Sequence, residues 1–305
     1  MISIIIPFYN EKESLPILID QLINQLDRLK KEYEIVLIDD GSEEISNIPY
    51  RVNKYQISNI KIFRHRKRFG KGQALKTGIE NSQGDIIVFM DGDLQDDPKD
   101  IHKFLKKIDE GYDFVNGIRT NRQENFLIKS YSYLATKFLN TFLHSPFTDI
   151  NCGFKAFKKE VLKDFNFYGN NFRFFPLSTF LNGYKVSEIS VVNNQRKFGK
   201  TKFGKSKIFV GILDTLTAYF LYKFAEKPLH FFGIIGGVLF SVGFLISIYL
   251  TIERLFFGVL LYQRPLLQLG ILLIIVGIQV VMTGIIGELI VYLNQRSKIK
   301  DQKQV

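Results

Sequence analysis

Tryptophan is absent from the 305-residue chain, and cysteine occurs once, at Cys152. A single thiol excludes an intramolecular disulfide framework and fits a reducing compartment. The four histidines, His65, His102, His144 and His230, lie far apart and form no Cys/His zinc pattern. The 23 glycines follow no period and no heptads are sustained, which excludes collagen and coiled coil; a hydrophobic fraction of 46% excludes disorder. Acidic residues are the scarcer charge: 30 Asp and Glu against 41 Lys and Arg leave a net +11. Such a balance points to an anionic partner: nucleic acid, a phosphorylated substrate or a membrane surface.

What is abundant is apolar sequence, and it is concentrated after about residue 208, lifting mean hydropathy to +0.03. Residues 229–252 contain no Lys, Arg, Asp or Glu, and residues 266–292 contain only Glu288. At 1.5 Å per residue the first run reaches roughly 36 Å, enough for a bilayer core of about 30 Å. The alternative, two buried helices of a soluble core, seldom reaches this length without a charge. Gly233, Gly236, Gly237 and Gly243 in one run, and Gly270, Gly277, Gly284 and Gly287 in the other, suit close helix packing in lipid. Glu288 reads either as paired with a basic residue or as an interface-level carboxylate. The short connection carries Arg254 and Arg264; the flanks carry Arg196, Lys197, Lys200, Lys202, Lys205, Lys207, Lys223, Lys227, Arg296, Lys298, Lys300 and Lys303. The positive-inside rule puts both termini in the cytoplasm, at an inner, multi-pass cell membrane location. The basic cluster abuts these spans, which favours a membrane partner over nucleic acid.

No signal peptide is expected: the apolar run 2–6 is short, Pro7 stops it, and no cationic segment precedes it. Strands are expected at 3–6, 34–39, 59–63, 85–90, 113–115 and 186–192, with helices between them, such as 15–30 and 73–81. This alternation predicts an α/β domain with a mostly parallel sheet. Residues 126–142 and 208–224 have helical apolar spacing. They read either as core-facing helices or as helices lying in the membrane interface. The expected organisation is 1–207, a catalytic domain; 208–228, a juxtamembrane helix; 229–293, a hairpin; and 294–305, a basic tail.

The chemistry centres on Asp91-Gly92-Asp93-Leu94-Gln95, which directly follows a strand. Carboxylates at i and i+2 share a face in extended backbone and offer hard oxygens to Mg²⁺ or Mn²⁺. Alone, the pattern is an acidic turn. Asp39-Asp40-Gly41-Ser42 ends a second strand, and Pro7-Phe8-Tyr9-Asn10-Glu11 ends the first. All three sit at carboxyl strand ends, where open α/β sheets bind ligands. The segment 199–206 satisfies the P-loop pattern, but no later strand remains to supply a metal-holding Asp; Gly70-Lys71-Gly72 begins a dinucleotide fingerprint that fails at Leu75.

In order and spacing these motifs resemble the family 2 glycosyltransferases with the GT-A (Rossmann-like) fold. Within them the chain is most similar to the polyprenyl-phosphate, dolichol-phosphate-mannose-synthase-like branch with two C-terminal transmembrane helices. Gly117-Ile118-Arg119-Thr120-Asn121-Arg122, Asp149-Ile150-Asn151-Cys152-Gly153-Phe154-Lys155, the basic segment 196–207 and Lys227-Pro228-Leu229 extend the resemblance over nearly the whole chain. It implies an inverting, metal-dependent transfer from a UDP- or GDP-sugar to a polyprenyl (undecaprenyl or dolichyl) phosphate, for cell-envelope glycan synthesis, in a homo-oligomer such as a tetramer. Asp91, Asp93 and Gln95 would hold the metal. Pro7, Tyr9, Asn10, Glu11, Asp39, Asp40 and Lys71 would receive the donor. Arg119 and Arg122 would meet phosphate, of donor or acceptor; with Arg196, Thr201, Lys202 and Lys205 they are the candidates for the acceptor phosphate, and Asp149 would be the acceptor-side carboxylate. Thr201 replaces the Ser of the family's Arg-x-x-Gly-x-Ser-Lys motif and keeps the hydroxyl. Processive polysaccharide synthases carry a Gln-x-x-Arg-Trp motif, which a chain without Trp lacks. The alternatives are a transferase using another lipid acceptor (diacylglycerol, ceramide or a lipid-linked sugar) and a catalytically silent membrane scaffold.

Overall fold

A computed structural model describes the chain except residues 44–58, 121–125, 168, 197, 199–205, 259, 261–263 and 303–305. It divides into two units, Met1–Ala218 and Tyr219–Val305.

The first unit is built on one seven-stranded sheet. In chain order its elements are β1 (Ile2–Phe8), α1 (Ser14–Leu29), β2 (Tyr33–Asp39), β3 (Ile60–Arg64), α2 (Lys71–Glu80), β4 (Ile86–Phe89) and α3 (Ile101–Asp109). There follow β5 (Phe114–Thr120), α4 (Phe126–Leu143), β6 (Lys155–Lys158), α5 (Phe175–Leu181), β7 (Val186–Val192) and α6 (Ser206–Phe224). The strand order is β3-β2-β1-β4-β6-β5-β7. Every pairing is parallel except those of β6, which runs against β4 and β5.

The central strands are buried on both faces, which is why they read as continuous apolar runs rather than alternating ones. Leu15, Leu18, Ile19, Leu22 and Leu26 line one side of α1 at helical spacing and are buried against the sheet. Each fully buried leucine contributes about 2 kcal/mol of apolar transfer. Part of the phenylalanine excess fills the core around β4, β5 and β6. Phe157 meets Phe89 and Phe175 edge to face, each at 4.9 Å between ring centroids.

Two sequence expectations change here. Strand β1 continues through Pro7 to Phe8, because β4 pairs only with residues 2–5 and Pro7 lies past the point where that side requires an amide donor. Strand β6 was not expected: Lys-Ala-Phe-Lys looks polar, yet Lys155 is buried.

Helices α4 and α6 form where the spacing predicts them. Both turn apolar side chains outward, Tyr133, Leu134 and Phe142 on α4 and Val210, Ile212, Leu213 and Leu216 on α6. The buried side of α6 is small: Gly211, Thr215 and Ala218.

In the second unit, α7 (Pro228–Phe257) and α8 (Pro265–Gln302) pair along a glycine seam. A Cβ on Gly243 would lie 2.6 Å from the Gly270 carbonyl oxygen, and one on Gly277 would lie 2.7 Å from that of Gly236. Gly284 and Gly287 abut Leu229, Phe232 and Pro228, whereas Gly233 and Gly237 stand away from the seam, contrary to their sequence grouping. Glu288 accepts a hydrogen bond from Leu229 N at 3.3 Å. It therefore sits at the amino end of α7, where the helix dipole favours an anion. Both helices are long and apolar enough to cross a bilayer.

Candidate active site

The carboxyl ends of β1, β2 and β4 share one edge of the sheet, with β1 at the point where strand order reverses. There Asn10 adopts a left-handed conformation, φ 57°. Its amide donates to Ser42 Oγ at 2.9 Å and its Oδ1 accepts from Glu43 N at 3.0 Å, tying the β1 exit to the β2 exit. Asp39 Oδ1 accepts from Ser42 N at 2.8 Å and Ser42 Oγ at 2.6 Å, and its Oδ2 lies 3.4 Å from Arg64 Nε. Asp40 accepts from Phe69 N at 2.9 Å and Gly70 N at 2.8 Å and bonds His65 Nδ1 at 2.9 Å. Both carboxylates are buried and hold the rim together. Gly70, at φ 96°, makes the turn that this clamp closes, and Lys71 opens α2 directly behind it. Tyr9 donates to Glu43 Oε1 at 3.0 Å, and the Arg68 guanidinium lies 4.3 Å from the Tyr9 ring centre.

Strand β4 delivers Met90 into the core and Asp91 to the edge. Asp91 is ion-paired with Lys71. Gly92 packs against the end of β1, where a Cβ would come within 3.2 Å of Phe8 Cβ. The left-handed residue of this loop is Leu94, φ 63°. A buried leucine in that region is a strained backbone, of the kind that persists where surrounding contacts enforce it. Here they do: Gln95 N donates to Asp93 Oδ1 at 3.2 Å, Asn194 N to Gln95 O at 2.8 Å, and Asp91 N to the buried Asp96 Oδ2 at 3.3 Å. The Gln95 side-chain amide is turned toward Asn194 O, 3.5 Å away.

Three carboxylates thus crowd one short loop. Burial, then repulsion from Asp91, pushes Asp93 up to about 6 and Asp96 up to about 7. This is a donor set of hard oxygens, and it fits a divalent cation. Among the described residues no group of three or more His, Cys, Asp or Glu side chains closes around one point.

Arg196 closes the site from the far side of the sheet. It is ion-paired with Glu11, its Nη1 lies 3.9 Å from Asp93 Oδ2, and its Nε donates to Phe198 O at 2.9 Å. The ends of β1, β4 and β7 therefore meet around one guanidinium. Arg122, Thr201, Lys202 and Lys205 lie outside the described residues.

Arg119 and Asp149, assigned separate tasks from sequence, form one bidentate pair: Nε to Oδ2 at 2.8 Å and Nη2 to Oδ1 at 2.9 Å. The loop that follows Asp149 returns to the metal-side carboxylate. A Cβ on Gly153 would lie 2.6 Å from Asp91 Oδ2 and 3.2 Å from Lys71 Nζ. Sequence reasoning missed Arg68, Asp96 and Glu188, and it quoted Lys155 in a motif without giving it a role. Of the three missed, Asp96 alone left a signal, as the next acid in the same loop.

A mostly parallel sheet with an Asp-x-Asp turn at its carboxyl edge defines a glycosyltransferase of GT-A type. Residues 3–165 match Glycosyl transferase family 2, and the chain belongs to that family. It is 30% identical over 295 residues to dodecaprenyl-phosphate galacturonate synthase of Rhizobium johnstonii, covering 95% of this chain and 87% of that one. It is 29% identical over 291 residues to undecaprenyl-phosphate 4-deoxy-4-formamido-L-arabinose transferase of Photorhabdus laumondii, covering 95% and 88%. Among solved structures, glucosyl-3-phosphoglycerate synthase of Mycobacterium tuberculosis in complex with Mn²⁺, UDP-glucose and phosphoglyceric acid superimposes with a TM-score of 0.56 at 17% identity. That match covers 72% of this chain and 79% of the other, and it is a likeness of fold.

Proposed function

We propose that the chain transfers a sugar from a nucleoside-diphosphate-sugar to a polyprenyl phosphate, with inversion, at the cytoplasmic face of an inner membrane. The observation that carries this reading is the meeting of Asp93, Glu11 and Arg196, which joins the metal-side loop to the start of a segment with six basic residues in twelve and no acid. An anionic lipid headgroup needs such a segment beside membrane-embedded helices. The two relatives named for polyprenyl-phosphate transfer, each matched over 95% of this chain, support it.

In this reading the rim held by Asp39, Asp40 and Asn10 receives the nucleoside, with Pro7 and Tyr9 lining it and Lys71 beside the diphosphate. Mg²⁺ or Mn²⁺ at Asp91 and Asp93 supplies charge neutralisation for the leaving diphosphate. Gln95 holds the loop through its backbone. Arg119, with Arg122, Arg196, Thr201, Lys202 and Lys205, orients the acceptor phosphate. That phosphate is already ionised at neutral pH, so its oxygen attacks the anomeric carbon without a strong general base. The bidentate hold of Arg119 on Asp149 supports a phosphate acceptor over a hydroxyl one, because both oxygens of that carboxylate are engaged. Residues 1–207 would be the cytoplasmic catalytic domain, 208–228 an interfacial helix, 229–293 the membrane hairpin and 294–305 a cytoplasmic tail. The protein would assemble as a homo-oligomer.

The test is incubation of the purified chain in detergent with undecaprenyl phosphate, Mg²⁺ or Mn²⁺, and a panel of UDP- and GDP-sugars that includes uronate and amino-arabinose donors. The expected result is release of nucleoside diphosphate with one donor, and a lipid-phosphate-sugar by mass. Both should disappear on chelation and in Asp93→Ala. Donor cleavage without that lipid product would overturn the acceptor, and no cleavage with any donor would overturn the reaction.

A further inference from the structure

Lys155 is an anomaly that the proposed mechanism does not use. It is only 3% exposed, and burial pushes it down to about 8. Its ammonium donates to Asn116 Oδ1 at 2.8 Å, Ile150 O at 3.1 Å and Cys152 O. These are oxygens of neutral groups, so the buried charge is hydrogen-bonded rather than paired. Such an arrangement is costly beside an apolar side chain of the same length.

The sheet register shows what surrounds it. Lys155 on β6 pairs with Asn116 on β5, and Asn116 pairs with Glu188 on β7. The three side chains form one row across three strands, closed by Asn116 Nδ2 to Glu188 Oε1 at 3.1 Å. The next residue in the row is Phe89, the last of β4, two positions before Asp91.

Each member also grips the loop above. Glu188 Oε2 accepts from Thr148 N at 2.9 Å and Thr148 Oγ1 at 2.8 Å, and its Oε1 from Asp149 N at 3.4 Å. Asn116 Nδ2 donates to Asp149 O at 2.9 Å, and Lys155 takes the carbonyls of residues 150 and 152. The backbone of Asp149 is thus held on both its amide and its carbonyl. The same loop carries the Arg119 partner at one end and Gly153, against Asp91, at the other.

We propose that Lys155, Asn116 and Glu188 act as a positioning ladder that sets the acceptor-side Arg119–Asp149 pair relative to the donor-side Asp91. Lys155 is a positioning residue, since it touches the loop and not the reacting atoms. The assignment of Arg119 to the acceptor rests on the function proposed above; the ladder itself does not.

The test uses the full chain in detergent and three variants: Lys155→Met, Glu188→Gln and the two combined. Hydrogen exchange at residues 148–153 reads the ladder without reference to any acceptor. In Lys155→Met it should quicken at least about tenfold while the amides of β1 and β4 keep their protection. Mn²⁺-dependent UDP binding should stay within about twofold, while kcat per folded molecule falls roughly 10- to 100-fold, because a small displacement of orienting groups acts on turnover. The combined variant should lose no more kcat than the worse single one, as members of one network do. Unchanged exchange and kcat in Lys155→Met, or losses that multiply in the combined variant, would overturn the ladder. If Lys155→Met fails to fold, Glu188→Gln at the more exposed end decides by the same readouts. Failure of the unsubstituted enzyme to use polyprenyl phosphate would overturn the acceptor reading alone, leaving exchange to decide the ladder.

Discussion

Replacing Gly153 by alanine adds one carbon where the loop after Asp149 meets the Asp91 carboxylate. That carbon would start 2.6 Å from Asp91 Oδ2 and 3.2 Å from Lys71 Nζ, whereas ordinary van der Waals contact begins near 3.4 Å. The carboxylate must therefore move by about 0.8 Å. Both crowded atoms are ends of flexible side chains, about one third exposed, so the fold yields easily and thermal stability should change by less than about 1 kcal/mol. The chemistry should not be so tolerant. A displacement approaching 1 Å in a group that orients the reacting centre costs up to about 100-fold in rate. The expected outcome for Gly153→Ala is a 10- to 100-fold loss, roughly, of metal-dependent nucleoside diphosphate release. Its melting temperature should stay near that of the parent. Gly111→Ala is the control: at φ 94° it is strained, but a Cβ there meets nothing within 4 Å, so it should lower stability and leave turnover per folded molecule alone. Gly153→Ala turnover within about twofold of the parent would refute the claim that Asp91 must hold its place.

Three further outcomes follow from the geometry. Asp149→Asn strips Arg119 of a buried bidentate partner and should lower stability by on the order of 3 kcal/mol; an unchanged thermal melt would show the pair to be dispensable. Alkaline stability should rise and then fall. Lys155 titrates near 8 when folded and near 10.5 when unfolded, so the unfolded chain binds more protons across that window and stability rises with pH. Burial pushes the Cys152 thiol from 9.0 up to about 12, so there the folded chain holds the proton and stability falls with pH. Between pH 9 and 10.5 the two slopes oppose each other, so melting curves from pH 7.5 to 10.5 should rise and then level in the parent, lose the rise in Lys155→Met, and keep rising to about 10.5 in Cys152→Ala. Gly236→Leu would drive a side chain into the Gly277 carbonyl, 2.6 Å from the site of its Cβ, and should reduce the yield of folded protein in membranes, whereas Gly237→Leu, which faces open space, should not.

The rim at the ends of β1, β2 and β4 was legible because its signals are local. An apolar strand that ends in a carboxylate turn carries its own meaning at Asp39 and Asp91, and long uncharged runs announce α7 and α8. The Arg119–Asp149 pair was less legible because its members are distant in sequence. Arg119 and Asp149 each look like a free functional group until folding brings them together from 30 positions apart. Strand β6 was hidden by its own lysines, since no pattern rule expects an ammonium in the core. At Leu94 the left-handed residue is not the glycine two positions earlier. There the tertiary contacts of Asp91, Asp96 and Asn194 outweigh local preference.

The reversed direction of β6 has a consequence for how such a chain can change. Because β6 runs against its neighbours, the loop that leads into it begins at the same edge where β1, β2 and β4 end. On the proposed assignment Asp149 is thus written before a strand, whereas the nucleotide rim and the basic residues for the acceptor phosphate follow strands. A lineage could exchange the segment before β6, and with it the partner of Arg119, and leave every residue of the rim around Asp39, Asp40 and Asn10 in place.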